Sequence, residues 1–297
     1  MKPSRYGPFP YVPITERPKI EWPGGARLAL WVIPNIEFFG LDDPMPGNNL
    51  ERTPRDQAKI PMVRSWAQRE YGNRVGIFRI MEVLDRYGIR GTVALNSDIC
   101  DYQPQIIEAA MQRSWEFMGH NETNAIRLNE MPSENERKSV ANTLSRIARA
   151  TGKRPQGWLS SGLCETWNTL DYLLEEGIKY VADWTCDDQP FLMDVNGKKL
   201  VSIPYSFDIN DAPMVYYNKV STAEFEEMIK RQFDVLYAEG AKSGRVMAIC
   251  LHPYVIGVPH RIGALNAGLE YICSHQGVWL ATGSEIVEHY LNSGKTF

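Results

Sequence analysis

The segment EFMGHNETN, residues 116–124, decides how the rest of the chain is interpreted. Its first half is a short apolar run typical of a buried strand, and His120 stands where that strand ends. Parallel α/β folds place their chemistry at the carboxyl ends of strands, so His120 is the first candidate for a catalytic group. The alternative is a histidine at the edge of the core whose ring nitrogens are only hydrogen-bonded. Polar residues after other strands favour the catalytic interpretation.

The chain around this segment alternates predicted strands and helices. A nearly continuous apolar run at 26–34 predicts a first strand covered on both faces. Asn196-Gly197 predicts a local hairpin, and Ser133 with Glu136 predicts a capping box at a helix start. The predicted strands are 26–34, 91–96, 115–119, 156–160, 179–184, 201–205, 245–252 and 277–282, and the predicted helices are 75–88, 104–113, 133–151, 167–176, 222–240, 263–274 and 284–291.

These units predict a single-domain α/β fold. Seven or eight of them follow one another without linker composition, which favours a distorted, TIM-like (β/α) barrel over 26–297, with a doubly wound open sheet as the alternative. Residues 1–25 carry six prolines and predict an extended N-terminal arm on the body or on a neighbouring subunit. Residues 39–74 form a long segment rich in prolines, glycines and charges after the first strand. Loops of that length are uncommon unless functional, so we predict an active-site cover.

Composition narrows the class of protein. The 297 residues are 43% hydrophobic and 23% charged, which excludes disordered, fibrous and disulfide-scaffold proteins. A formal net charge of −4 gives no basic surface for nucleic acid. The five cysteines are odd in number and lack CxxC spacing, which indicates reduced thiols. The sequence has no window of about 18 apolar residues and no signal-peptide pattern, so we predict a cytoplasmic protein without a membrane partner.

In a parallel barrel the strand carboxyl ends share one rim, so residues there converge whatever their separation in sequence. The predicted rim residues include carboxylates, two histidines, an arginine and amides. Such groups can orient a water molecule and a carbonyl, so this set of side chains suits hydrolysis. No GxSxG motif is present, so a covalent serine mechanism is not predicted. The predicted rim residues, in chain order, are Asn35, Glu37, His120, Asn124, Arg154, Trp158, Asp183, Trp184, Asp187, Asp188, Asp208, Asp211 and His252.

Several of these residues also have a purely structural interpretation. Glu37 could pair with a lysine in its loop, although a carboxylate directly after so apolar a strand must find buried partners. The aspartates after the fifth strand could cap loops and form turns. Trp158 could belong to the core or to the pocket wall. His252 interrupts a core strand, which favours a functional role.

Six motifs occur together in a characteristic order: PNIEFFG at 34–40, GHNETN at 119–124, RPQGW at 154–158, DWTCDDQP at 183–190, IPYSFDIND at 203–211 and CLHPYVIGVPHR at 250–261. Over about residues 20 to 290 the chain resembles the polysaccharide deacetylase superfamily, whose barrel is of the NodB type. Within it, the match is closest to the cytosolic branch of metal-independent allantoinase and peptidoglycan-deacetylase-like proteins. The resemblance implies a distorted barrel, hydrolysis of carbon–nitrogen bonds and a homotetramer.

The resemblance also bears on metal binding. Metal-dependent members hold the ion with a first-motif acid and two histidines spaced HxxxH, and a late-strand histidine is the general acid. Glu37, His120 and His252 match these positions, whereas Asn124 stands in place of the second histidine. A neutral amide is a poor zinc donor, so no cofactor is predicted to be required. The alternative is Zn²⁺ or Mn²⁺ held loosely by Glu37, His120 and Asn124.

The sequence therefore predicts an amidohydrolase that opens a small cyclic amide, ureide or imide. Glu37 and His120, with Asn35 beside them, are predicted to position or activate water, and His252 to protonate the leaving nitrogen or polarise the carbonyl. Two alternatives remain, a metal-assisted deacetylase of a sugar or peptidoglycan fragment and a non-catalytic ligand-binding barrel. The predicted substrate-binding residues are Asn124, Arg154, Trp158, Asp183 and Asp188, and the cover adds Arg52, Arg55 and Arg64 as candidates for contacting the substrate.

Overall fold

The computed structural model describes residues 4–43, 45 and 61–297. The strands are β1 Leu28–Ile36, β2 Thr92–Leu95, β3 Glu116–Gly119, β4 Gly157–Trp158, β5 Tyr180–Val181, β6 Phe191–Val195, β7 Lys198–Ser202, β8 Arg245–Leu251 and β9 Val278–Leu280. The helices are α1 Val63–Tyr71, α2 Ile77–Arg86, α3 Ile99–Tyr102, α4 Pro104–Gln112, α5 Ser133–Thr151, α6 Thr169–Glu175, α7 Thr222–Gly240, α8 Ile262–Cys273 and α9 Gly283–Asn292.

The strands form one curved sheet in the order β6-β7-β5-β4-β3-β2-β1-β8. The pairs are parallel except β6 with β7, which form an antiparallel hairpin. On the far side the ladder is replaced by local links, a bridge between Asn210 and Cys250 and a bond from the Val246 amide to the Asp188 carbonyl at 2.9 Å. The predicted distorted (β/α) barrel is confirmed, and it is incompletely closed.

The sheet is organised around β1, all of whose residues are buried. Its residues 28–34 pair with β8 along one edge. On the other edge β9 pairs with its first residues and β2 with its last two. A strand covered on both faces must be apolar throughout, which is why the sequence predicted this strand. The carboxyl end of β1 therefore lies centrally at the rim, with β2 and β8 beside it.

Three local predictions were wrong. The hairpin was expected to be a decoration before a separate strand at 201–205, but β7 is itself the barrel strand that pairs with β5. Residues 63–71, assigned to an irregular cover, form α1. Helix α5 does begin at Ser133, but no side chain caps it, because Glu136 turns inward and accepts hydrogen bonds from Thr166 and Thr169.

The described part of the N-terminal arm, residues 4–25, lies along the barrel. Arg17 pairs with Asp187 at 2.5 Å, and the Pro8 carbonyl accepts a bond from the Asp194 amide at 2.6 Å. Phe9 packs against Phe191 in an edge-to-face contact. Within the described residues, no helix combines the length and the apolar character needed to cross a membrane. Most of the predicted cover, including Arg52 and Arg55, lies outside the described residues.

Candidate active site

Glu37 lies directly after β1 and is almost fully buried. The Asn124 Nδ2 group donates to its Oε1 at 2.7 Å, and Asn73 Nδ2 donates to its backbone carbonyl at 2.9 Å. Because β1 lies between β2 and β8 in the sheet, Glu37 is in the middle of the rim. The side chains that follow β3 and β8 therefore approach it from both sides. A buried carboxylate in that position requires such partners, which is what the sequence argument anticipated.

His120 approaches Glu37 from the end of β3. Its Nδ1 lies 2.6 Å from the Leu159 carbonyl, and since a carbonyl can only accept, Nδ1 carries the hydrogen. The Nε2 atom faces the Glu37 carboxylate at 3.8 Å. In the neutral ring, Nε2 therefore presents a lone pair to the pocket. This geometry suits a proton acceptor and fixes the tautomer of the imidazole.

His252 approaches Glu37 from the end of β8, with Nε2 3.5 Å from Oε1. Its Nδ1 lies 2.7 Å from Oδ1 of Asp211, a fully buried carboxylate. Asp211 also accepts bonds from the backbone amides of His252 and Ile256. Three N–H groups make these four bonds to one carboxyl group, which matches its ionised form. The Asp211 carboxylate therefore orients the His252 ring and favours its positive charge.

Glu37 forms an ion pair with His252, and His120 flanks the carboxylate on the other side. Burial, the largest effect on Glu37, raises its pKa, but the charge of His252 and the closeness of the two histidines outweigh it and lower the pKa to about 2. Burial likewise lowers the pKa of His252, but Glu37 and Asp211 outweigh it and raise the value to about 10. At neutral pH the site therefore contains a carboxylate and an imidazolium. Glu37 is a weak base in this state, and His252 holds a transferable proton.

The pH dependence of His252 provides a prediction. Its folded pKa of about 10 lies above the ordinary 6.5, so the charged form, and any activity that requires it, is lost as the pH rises through about 10. Asp211→Asn removes one stabilising charge, so we expect the alkaline limb of the rate profile to move to lower pH. NMR titration of the His252 Cε1–H signal measures the same shift. An unchanged pKa in the variant would contradict the assigned pairing.

The pocket above these groups has a volume of about 180 Å³. Small-molecule pockets usually measure about 300 to 1,000 Å³, so this one suits a small ring. A larger pocket of about 430 Å³ lies beneath the N-terminal arm, but none of the candidate catalytic residues lines it. The residues that line the smaller pocket are Asn35, Glu37, Phe39, Arg69, His120, Asn124, Arg127, Leu159, Gly162, Leu163, Tyr205, Phe207, Asn210, Ala212, Pro213, Tyr217, His252 and Tyr254.

The structure brings Glu37, His120, Asn124 and His252 together as predicted. Asn35 also lines the pocket, but its Nδ2 donates to the Leu251 carbonyl at 3.2 Å and its Oδ1 accepts from Tyr205 at 3.2 Å. Both ends of the amide are therefore engaged within the protein. Asn35 holds the wall of the site in place, which differs from the predicted catalytic role.

Two substrate-binding predictions are wrong. Arg154 precedes β4, so it lies at the amino-terminal end of that strand, and its guanidinium pairs with Glu176 at the surface. Trp158 is fully buried in the core, where its Nε1 donates to the Ser160 hydroxyl at 3.0 Å. The RPQGW motif therefore stabilises the barrel, and its residues do not line the catalytic pocket.

The two predicted aspartates also lie outside the pocket. Asp183 accepts bonds from the amide and the hydroxyl of Ser160, both at 2.7 Å. It thereby fixes the Leu159 to Ser160 segment whose carbonyl holds His120, so it acts on the site through positioning. Asp188 lies in a separate polar pocket with Asp187 and Asp208. Their position after the fifth strand predicted that these residues lie at the rim, but the loop after β5 places them away from Glu37.

Sequence reasoning missed two participants. Asp211 was recognised as a rim residue but was not paired with His252, because 41 positions separate them and no spacing rule connects them. Arg69 was not considered, since residues 63–71 were not recognised as a helix. Residues four apart in a helix lie on one face, so recognition of α1 would have placed Arg69 beside the buried Ser65.

The donor set does not fit the metal centre that the fold family implies. A catalytic zinc site usually has three ligands of the histidine or carboxylate type. Glu37 and His120 are of that type, but the third position is the Asn124 amide, whose nitrogen is directed at Glu37. No group of three or more His, Cys, Asp or Glu side chains suited to a metal ion occurs within 4–43, 45 and 61–297. No catalytic step is therefore assigned to a metal here.

The barrel, with one carboxylate and two histidines together at its rim, suits a hydrolase. No protein-family model matches the chain. A solved PuuE allantoinase is similar, with 29% identity, a TM-score of 0.85 and coverage of 94% of this chain and 95% of that one. A solved structure titled probable polysaccharide deacetylase from Pseudomonas aeruginosa PAO1 has 27% identity, a TM-score of 0.83 and coverage of 95% and 97%.

A Schizosaccharomyces pombe protein whose name also places it among the polysaccharide deacetylases is 25% identical over 238 residues, 74% of this chain and 73% of its own. Over most of its length the chain is therefore similar to proteins named as polysaccharide deacetylases and to an allantoinase. The named relatives are deacetylases and an allantoinase, and both kinds of enzyme hydrolyse carbon–nitrogen bonds. The prediction that this chain is a hydrolase of that class is confirmed.

Proposed function

We propose that the protein opens the ring of a small cyclic amide, ureide or imide by adding water to a ring carbonyl. The observation that carries the proposal is the placement of the Glu37 carboxylate between His120, His252 and Asn124 at a pocket of about 180 Å³. A ring of five or six atoms suits that volume, whereas a polymer requires an extended cleft. The likeness to a PuuE allantoinase over nearly the whole chain supports the same choice.

In this proposal the attacking water lies between Glu37 and His120. The Glu37 carboxylate, with a pKa of about 2, accepts a hydrogen bond from the water and orients it without taking its proton. The Nε2 lone pair of His120 accepts the proton, because the Leu159 carbonyl already engages Nδ1–H. The Asn124 bond to Glu37 keeps the carboxylate from rotating. The oxygen of the water then forms the new bond to the carbonyl carbon.

The carbon–nitrogen bond breaks with proton delivery from His252. Its Nε2 carries the proton at neutral pH, and Asp211 holds the ring in position from the opposite nitrogen. The leaving nitrogen takes this proton as the bond breaks, so it departs as a neutral amine or amide. A net proton transfer from His120 to His252, through Glu37 or solvent, restores the starting state. Water is the only co-reactant.

We further propose that this chemistry needs no metal ion, because one carboxylate, one imidazole and one amide are a weak donor set for zinc. A metal-assisted deacetylase is the second candidate. One observation favours it, since the Asn124 Oδ1 atom is buried and has no hydrogen-bond partner within the described residues. An amide oxygen of this kind suits a hard cation better than it suits zinc.

A substrate panel tests the proposed function. Purified protein is incubated with hydantoins, dihydropyrimidines, succinimide-type imides, allantoin and acetylated amino sugars, and ring opening and acetate release are measured in parallel. We expect turnover of at least one cyclic compound and no acetate release. Acetate release without ring opening would support the deacetylase. Binding without any turnover across the panel would support the non-catalytic barrel.

A further inference from the structure

Arg69 is a buried arginine at the wall of the catalytic pocket. Among the described residues it forms no ion pair, although the Glu37 carboxylate acts on its charge through space. The Arg69 side chain is only 4% exposed. Its Nη1 donates to the Ser65 carbonyl at 3.1 Å, within the same helix. The Nε atom is buried without a hydrogen-bond partner in the part of the chain that the structure describes. A buried guanidinium with an unused donor is costly, which indicates that a group outside the described residues completes it.

Aromatic rings hold the guanidinium in place. Its central carbon lies 4.7 Å from the Phe39 ring centroid and 5.4 Å from that of Tyr254. Cation–π contacts of this kind stabilise the charge, but they use the faces of the rings and leave the N–H groups available. The group is therefore oriented before a ligand binds. Phe39 follows β1 two residues after Glu37, so the arginine and the catalytic carboxylate share one pocket.

The helix that carries Arg69 is fixed against the loop after β8. A Cβ atom at Gly72 would lie 2.5 Å from the Tyr254 amide nitrogen, and one at Gly76 would lie 2.2 Å from the Pro253 carbonyl oxygen. Only glycine permits such close packing. Helix α1 is thereby held beside the His252 loop, and the position of Arg69 relative to the catalytic histidine is part of the fold.

The pocket has a net positive charge. Among the described residues, Arg69, Arg127 and the protonated His252 line it, and the carboxylates of Glu37 and of Asp211 behind His252 offset two of these three charges. A neutral ring would leave this excess charge uncompensated. Guanidinium groups bind carboxylates through two parallel hydrogen bonds, which gives both charge and directional specificity. An anionic substituent on the substrate would supply an acceptor for the Nε–H group of Arg69, which has none among the described residues.

We propose that Arg69 is a specificity-determining residue that binds a carboxylate on the substrate, so that the preferred substrates are cyclic amides or ureides carrying an anionic substituent. This inference rests on the proposed ring-opening function and narrows its substrate class. Arg69 orients the ring so that the scissile carbonyl faces the water at Glu37 and His120. Arg127 adds to the positive field of the pocket.

The test compares matched pairs of rings that differ by one carboxylate, such as hydantoin with hydantoin-5-acetate and dihydrouracil with dihydroorotate. We expect Arg69→Met to lower kcat/KM for the carboxylate-bearing ring by about 10- to 100-fold, the range for a lost charged hydrogen bond, and to change the neutral ring by about threefold or less. Arg74→Met is the matched control, because Arg74 lies five residues further along the chain, is exposed and does not line the pocket. Arg69→Lys, which keeps the charge, should recover part of the loss.

Binding separates this inference from the catalytic proposal. Calorimetric titration of both rings into Glu37→Gln protein should show tighter binding of the carboxylate-bearing ring, and the preference should vanish when Arg69→Met is added. If rings are opened without a carboxylate preference, the inference is wrong and the proposed function stands. If the preference is present in binding but no ring is opened, the proposed function is wrong. Circular dichroism confirms that each variant is folded.

Discussion

Glu37→Gln should lower kcat by about 10²- to 10⁴-fold, the contribution typical of a positioned acid or base group. The substitution keeps the shape of the side chain and an oxygen that can accept the Asn124 bond, but it removes the charge. Without that charge the water loses its orienting acceptor, and His252 loses the largest effect that raises its pKa. Turnover of the best ring from the substrate panel, measured under saturating conditions, gives the result.

Glu122→Gln provides a matched control for this variant. Glu122 lies two residues after His120, but its side chain binds Ser139 and Asn142 and does not line the pocket. We expect its turnover to stay within about twofold of the parent, as for substitutions away from a site. Near-parental turnover in Glu37→Gln itself would show that the carboxylate has no catalytic role.

His252→Ala should lower kcat by about 10²-fold or more, because the leaving nitrogen would depart without a proton donor. Its pH profile should also lose the alkaline limb that reflects the pKa of about 10. His260→Ala is the control, since His260 lies on the same loop but is exposed. Equal turnover in the two variants would contradict the role assigned to His252.

The same substitution should also reduce stability, although His252 lies at the rim of the barrel. His252 is buried, and its removal leaves the Asp211 and Glu37 carboxylates without their shared cation. Loss of one partner of a buried charged group costs about 3 kcal/mol. Chemical denaturation measures the free energy of unfolding, and kinetic assays then use conditions in which the variant is folded.

Much of the barrel was predictable because its strands leave strong local signals. The runs that became β1 and β8 are apolar throughout, since both faces of a parallel strand are covered. Their carboxyl ends share one rim, so Glu37, His120 and His252 were expected to converge although more than 200 residues separate the first from the last. Alternating patterns and strand ends were sufficient for this part of the site.

The remaining parts depended on tertiary packing. Arg154, like His120, lies next to a strand within a recognisable motif. It precedes β4, however, so it lies at the opposite end of the barrel from His120. Asp211 meets His252 only because the chain after β7 returns to β8 through the Asn210 to Cys250 bridge. Arg69 reaches the pocket because two glycines let α1 pack against the β8 loop. None of these relations is encoded in local spacing.

The central claim is that Glu37 and its two histidines open a ring without a metal ion, and one measurement tests it most directly. The protein is dialysed against a strong chelator, its metal content is verified by mass spectrometry, and ring opening and acetate release are measured on the same sample. We expect ring opening at the untreated rate and no release of acetate. Activity that disappears on stripping and returns in proportion to added Zn²⁺ or Mn²⁺ would contradict it and would identify Asn124 as a ligand.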